Sequence, residues 1–146
     1  FASELETMSP TPMISPDQYA SWSAFQSLRY GYSFSYPPKW IAVRTSQSDP
    51  LILDYVVLKT ENVATSSAIT FSYSLRTPSQ ALAIYSQQGV PIIVASNPAT
   101  KKIIQDSQGN VSVQVLIPDG GNTVIFYAKS AYQDVLDMIL QTFKFI

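Results

Sequence analysis

Residues 123–128 place the strongest constraint on this chain. Side chains on an extended strand alternate with a period of two, so Val124 and Phe126 point one way and Ile125 and Tyr127 the other. Both faces are apolar. A strand of that kind does not fit the rim of a sheet with one wet face. It belongs in the centre, with layers above and below. The run before it, Pro118-Asp119-Gly120-Gly121-Asn122, supplies strong turn chemistry.

The rest of the chain provides neighbours for that strand. Residues 67–75 give the cleanest alternation, with Ile69, Phe71, Tyr73 and Leu75 opposing Thr70, Ser72 and Ser74. In residues 111–117, Val111, Val113, Val115 and Ile117 oppose Ser112, Gln114 and Leu116. Further strands are predicted at 32–36, 40–45, 54–60, 92–95 and 101–106. Residues 46–50, 61–66 and 97–100 read as loops, and Gln108-Gly109-Asn110 as a turn.

Two helices are punctuated by their ends. Thr77 is an N-cap, Pro78 stands at the first helical position, and Gln80 can reach back as a capping-box partner. Ala81, Leu82, Ile84 and Tyr85 form its apolar stripe. Gly89 sits where a left-handed C-terminal cap is expected, and Pro91 prevents continuation. The second helix is predicted from Ser130, with Gln133 as its capping-box partner. Val135, Leu136, Ile139 and Leu140 share one face, extended by Tyr132 and Phe143, with Asp134 and Asp137 opposite.

The N-terminal part is read in two pieces. Residues 1–16 hold Pro10, Pro12 and Pro16 among small hydroxylic residues, as a disordered tail or a semi-rigid spacer would. Residues 17–146 form a single domain. Ser15-Pro16-Asp17-Gln18 has the form of a helix start, and Trp22, Ala24, Gln26 and Leu28 alternate against Phe25. A short helical turn followed by a strand is expected there.

Tyr30-Gly31-Tyr32-Ser33-Phe34-Ser35-Tyr36-Pro37-Pro38-Lys39-Trp40 alternates aromatic and small polar residues, turns on two prolines and restarts on tryptophan. This pattern resembles the opening of PsbP-like domains, the family named after an extrinsic photosystem II subunit. The closing run from Asp137 to Ile146 resembles the end of the bacterial members, so the resemblance spans roughly residues 22–146. It implies an α+β fold, an α/β/α sandwich whose central sheet is mostly antiparallel with helices on its faces. It also implies a secreted or lipid-anchored protein, usually without known enzymatic activity. Some PsbP-like proteins are associated with metal binding through His and acidic side chains. This chain has no histidine, so that property does not carry over.

Composition narrows the chemistry. Of 146 residues, 46% are hydrophobic and only 13% charged, against roughly 25% charged in a typical soluble domain. The net charge of −1 gives no field to attract nucleic acid or an anionic membrane. No cysteine is present, which excludes a disulfide framework, thiolate zinc and a cysteine nucleophile. Lack of histidine removes the commonest general base near neutral pH and the commonest transition-metal ligand. Gly-x-Ser-x-Gly is absent, and nothing in the spacing of the lysines suggests a Ser–Lys dyad. No catalytic residue, cofactor site or metal site is assigned.

The remaining candidates each have an ordinary explanation. Asp134 and Asp137 lie i, i+3 and suit the first turns of a helix electrostatically. Asp54 stands near a strand start, and Asp106 and Asp119 lie in turns, where aspartates bond to local backbone. Asn110-Val111-Ser112 matches the N-glycosylation pattern, although a turn also uses asparagine after glycine. Lys101 and Lys102 form the only basic pair and could meet an acidic partner, but an exposed strand edge also uses lysine against aggregation. Tyr19 and Trp22 belong to an early aromatic cluster that could touch a partner.

The expectation is therefore a non-enzymatic, extracytoplasmic, monomeric domain acting through protein contacts, with Lys101, Lys102, Tyr19 and Trp22 as possible contact residues. Phe1 in place of Met suggests a fragment or processed chain, with membrane contact only through an upstream anchor. Alternatives are a small-ligand or glycan-binding module using exposed tyrosines, and a photosystem II accessory or assembly factor in a photosynthetic host. Fold analogy with a Ran-binding nuclear import factor finds no matching acidic surface.

Overall fold

The computed structural model describes residues 19–60, 67–84 and 88–146. The leader with its Ser15-Pro16-Asp17-Gln18 start signal, the 61–66 turn and Tyr85 lie outside the described residues. The first half comprises β1 (Ser23–Ser27), β2 (Tyr32–Tyr36), β3 (Ile41–Arg44), β4 (Ile52–Lys59), β5 (Ser67–Ser74) and helix α1 (Pro78–Leu82). Then follow β6 (Val90–Val94), β7 (Asn97–Gln105), β8 (Val111–Asp119), β9 (Asn122–Lys129), a 3-10 turn (Ser130–Tyr132), α2 (Gln133–Thr142) and β10 (Lys144–Phe145).

The doubly apolar strand takes the central place its sequence demands. A seven-stranded sheet runs in the order β3-β4-β5-β9-β8-β7-β6, with antiparallel pairing throughout. The register aligns apolar residues of neighbouring strands on one face: Val56 with Phe71, Phe71 with Phe126, and Phe126 with Val115. Those four are fully buried.

Two elements cover this face. Leu136 and Ile139 of α2 are buried on it. Beside α2 lies a three-stranded antiparallel sheet in the order β1-β2-β10. The aromatic run of β2 joins the two sheets: Tyr32 packs 4.6 Å from Phe71, and Phe34 lies 5.1 Å from Phe71 and 5.4 Å from Phe126 by ring centroids. Phe143 closes the seam, edge-on to Phe126 at 5.8 Å. Truncating one such buried ring typically costs about 3–5 kcal/mol.

The opposite face is more thinly covered. The Thr77 capping box forms as expected: Gln80 N–H donates to Thr77 Oγ1 at 3.2 Å, and Thr77 N–H to Gln80 Oε1 at 3.0 Å. Yet the helix it starts ends at Leu82 instead of continuing towards Gly89. Ala81 is its buried anchor, and Ile84 is 52% exposed. Gly89 is not a left-handed cap; a Cβ there would lie 2.2 Å from the Thr100 methyl, so glycine serves a close approach between chain segments. The α/β/α expectation therefore holds in part. The antiparallel sheet is as predicted, but one covering layer combines α2 with a second sheet, and among the described residues the other is a five-residue helix.

Two local readings are corrected, and one further strand appears. The 97–100 segment is the start of β7, because the hairpin turns earlier, at Ala95 and Ser96, with φ of 51° and 67°. Pro98 is tolerated there because pairing with β8 begins only at Thr100. The capping box expected at Ser130 is absent: the chain enters α2 through a 3-10 turn without a side-chain cap, and Asp134 faces the helix dipole in the first turn. The final residues add β10, which pairs Phe145 with Tyr32 and Lys144 with Ser33.

Left-handed backbone is unfavourable for L-residues with a Cβ by about 1–2 kcal/mol each, and two-residue hairpin loops prefer Asn-Gly. The double substitution Ala95→Asn with Ser96→Gly should stabilise the fold by about 1–2 kcal/mol. Urea unfolding would show a higher midpoint at unchanged slope.

Candidate functional site

At one end of the sandwich a carboxylate is buried between the two sheets. Asp54 stands in β4 in phase with Val56 and Leu58, so its side chain points into the core face, where it is 5% exposed. An unpaired carboxylate there would cost several kcal/mol. Arg44, at the end of β3 and opposite Val56, supplies the counter-charge. Its Nε donates to Asp54 Oδ1 at 2.8 Å and its Nη2 to Oδ2 at 3.2 Å. The Tyr32 hydroxyl donates to the same Oδ2.

The three groups hold one another in fixed orientation. Burial raises the Tyr32 phenol well above its ordinary range, and the hydrogen bond to Asp54 adds to the rise. Its proton is committed, so the phenol is no general base. The Arg44 side chain is 57% exposed while that of Asp54 is 3% exposed. The guanidinium lies over the Phe25 ring at 5.0 Å. The cluster is thus a clamp that presents a cation at the surface.

That cation borders an open groove of about 450 Å3, whose walls include Gln26, Leu28, Arg29, Tyr30, Leu53 and Asp54. A second groove of about 320 Å3 shares Arg44, Leu53 and Asp54 and extends along the β3–β4 loop. Leu28 is 81% exposed, and Leu51, Leu53 and Leu75 are exposed at the same end. The Leu75 N–H donates to the Leu51 carbonyl at 2.7 Å, and Arg76 pairs with Asp49 at 2.7 Å. Arg29 lies over the Tyr30 ring at 5.3 Å, and Tyr30 stacks on Tyr73 at 5.1 Å. All three arginines of the sequence gather here.

The residues singled out from sequence lie elsewhere and do not converge. Tyr19 and Trp22 pack edge to face at 4.9 Å, and the Tyr19 hydroxyl donates to the Met138 carbonyl at 3.2 Å. Half-buried, they fasten the chain before β1 onto α2. Lys101 and Lys102 point to opposite faces of β7. Lys102 is buried and donates to the Leu82 carbonyl, closing the end of α1, so the two lysines make no joint patch. Lys101 lies on the side of α2. Desolvation raises the Asp137 carboxyl, Lys101 opposes this, and Asp134 adds to it.

The turn aspartates behave variously. Asp106 accepts the Gln108 and Asn110 N–H groups, both at 2.9 Å, as a turn aspartate should. Asp119 instead accepts the Tyr73 hydroxyl at 2.6 Å. Among the described residues no three His, Cys, Asp or Glu side chains converge as metal ligands. Local sequence reading makes Asp54 a strand-start residue and so misses the Arg44–Asp54–Tyr32 clamp. Its position in phase with Val56 and Leu58 is the signal that identifies it.

Arg44→Ala should destabilise by about 2–3 kcal/mol, since it strands a buried carboxylate, whereas Asp54→Asn should cost only about 1–2 kcal/mol because Arg44 can hydrate. The double variant should be more stable than Arg44→Ala alone. Tyr32→Phe should cost about 1–2 kcal/mol near neutral pH. Because the folded phenol titrates above its unfolded value of 10.0, the stabilisation is present in full below that pH and lost as pH rises past it. Urea unfolding across alkaline pH should therefore show a shallower decline for Tyr32→Phe than for the parent.

No protein-family model matches the sequence, and no curated protein matches it. Solved structures do resemble the fold. The solution structure of cyanobacterial PsbP (CyanoP) from Synechocystis sp. PCC 6803 superposes with a TM-score of 0.57 at 13% identity, covering 94% of this chain and 100% of that one. A crystal structure from Bacteroides thetaiotaomicron VPI-5482 gives 0.54 at 13% identity over 86% of this chain, which spans only 49% of that protein. The chain has a PsbP-like fold.

Proposed function

We propose that this chain is an extracytoplasmic PsbP-like domain that works through protein contacts and performs no catalysis. The observation that carries this reading is the leucine- and arginine-rich end of the sandwich. Leu28, Leu51, Leu53 and Leu75 are exposed there beside Arg29 and Arg44. Exposed apolar residues grouped in this way mark interaction surfaces, and arginine is enriched in them. The titratable groups of the clamp hold one another in place, which suits recognition better than proton transfer. The PsbP-like fold supports the reading that the domain works outside the cytoplasm. No helix among the described residues is long and apolar enough to cross a membrane. In this reading, membrane contact is made through a tether outside those residues.

Leu28 makes the test clean, because at 81% exposure its replacement should not disturb the core. In the native host, proximity labelling with the full-length protein carrying Leu28→Glu should lose the neighbours recovered with the parent. Ile93→Glu, 70% exposed on the strand at the far edge of the large sheet, should keep them. Equal recovery by parent and Leu28→Glu would sink the assignment of this surface.

A further inference from the structure

The chemistry of the partner can be read from the groove itself. We infer that the groove between β1 and β3 receives an extended acidic peptide segment of a protein partner, with a peptide carboxylate taken by Arg44 and apolar side chains seated against Leu28 and Leu53. This rests on the protein-contact reading above and specifies what is recognised.

Strand edges come first. Among the described residues β1 pairs only with β2, and β3 only with β4, so each is the outer strand of its sheet. The groove is lined by Gln26 from β1 and Arg44 from β3. An extended chain entering it meets main-chain donors and acceptors that no neighbouring strand occupies, the arrangement used in strand addition.

Charge selects the side chain. The charged residues lining the groove are Arg29, Arg44 and Asp54. Asp54 is buried, and both its oxygens already accept hydrogen bonds from Tyr32 and Arg44. The charge available to a ligand is therefore positive, although the whole chain carries −1.

Geometry selects the anion. Arg44 spends Nε and one Nη2 hydrogen on Asp54. Its remaining terminal pair of N–H groups matches a carboxylate with two parallel hydrogen bonds. With Phe25 against one face of the guanidinium and Asp54 along one edge, that plane is set before the ligand arrives. On an extended peptide, alternate side chains point to the same wall. Leu28 and Leu53 give those beside the carboxylate an apolar seat.

The test uses a capped pentapeptide alternating leucine and glutamate, its glutamine counterpart, and sodium acetate as separate probes. Binding is followed by NMR of backbone amides and arginine Nε–H groups. The glutamate peptide should shift Arg29, Arg44 and the β1 and β3 amides, and the glutamine peptide should bind roughly tenfold or more weakly. Arg29→Gln should weaken the glutamate peptide several-fold with unchanged melting, which keeps the test valid should Arg44 variants fail to fold.

Equal binding of the two peptides, shifts confined to another surface, acetate binding as tightly as the peptide, or no shifts at all would each overturn the inference. If the peptide fails while Leu28→Glu still strips the partner in the host, the protein-contact reading stands and only the partner's chemistry is wrong. Failure of both removes the surface assignment as well.

Discussion

Phe126 occupies the point where the whole molecule meets. It sits on the central strand, fully buried, with Phe71 beside it at 4.9 Å, Phe34 of the small sheet at 5.4 Å and Phe143 beyond the end of α2 at 5.8 Å. Each contact joins a different element to the same ring. Aromatic pairs with these tilted and edge-on geometries contribute about 0.5–1.5 kcal/mol each beyond the area they remove from water. The same packing is reinforced by the Tyr32 hydroxyl, which donates to Asp54 of the large sheet, and by the Ser35 N–H, which donates to Thr142 Oγ1 of α2 at 2.8 Å, while β10 adds only two residues. Packing of Tyr32 and Phe34 onto Phe71 and Phe126 therefore positions β1, and with it one wall of the groove.

Much of this architecture was legible in the order of residues. Period-two alternation located β5, β8 and β9, and apolar character on both sides of β9 placed it in the middle of the sheet. The errors share a physical cause. Gly89 and Pro91 suggest the end of a long helix, but α1 stops at Leu82, and the glycine answers to the Thr100 methyl, a contact invisible in local sequence. Likewise the Ala95-Ser96 turn carries no glycine or asparagine, so local chemistry pointed to the later Asn97-Pro98 stretch instead.

The site was less legible because its parts are distant along the chain. Asp54 meets Arg44 ten residues earlier and Tyr32 twenty-two residues earlier, through two different sheets. Spacing rules detect partners one turn or one strand apart, not those joined by layer packing. The lysine pair, by contrast, is adjacent in sequence, and for that reason its members are sent to opposite faces by the strand they share. Adjacency on a strand is itself what prevents the two ammonium groups from acting together.

A helix as short as α1 does not persist alone in water. Here Thr77 fixes its start, while Lys102, a strand residue, reaches across to the carbonyl at its end. Its coil is consequently conditional on the sheet beneath: should β7 slip by one position, the ammonium would swing to the other side and the shutter would lose its latch. Leu116 and Thr123, now dry under that cover, would then face solvent. The lightly latched back of the sheet thus reports on the register of strands that the opposite, heavily packed side would conceal.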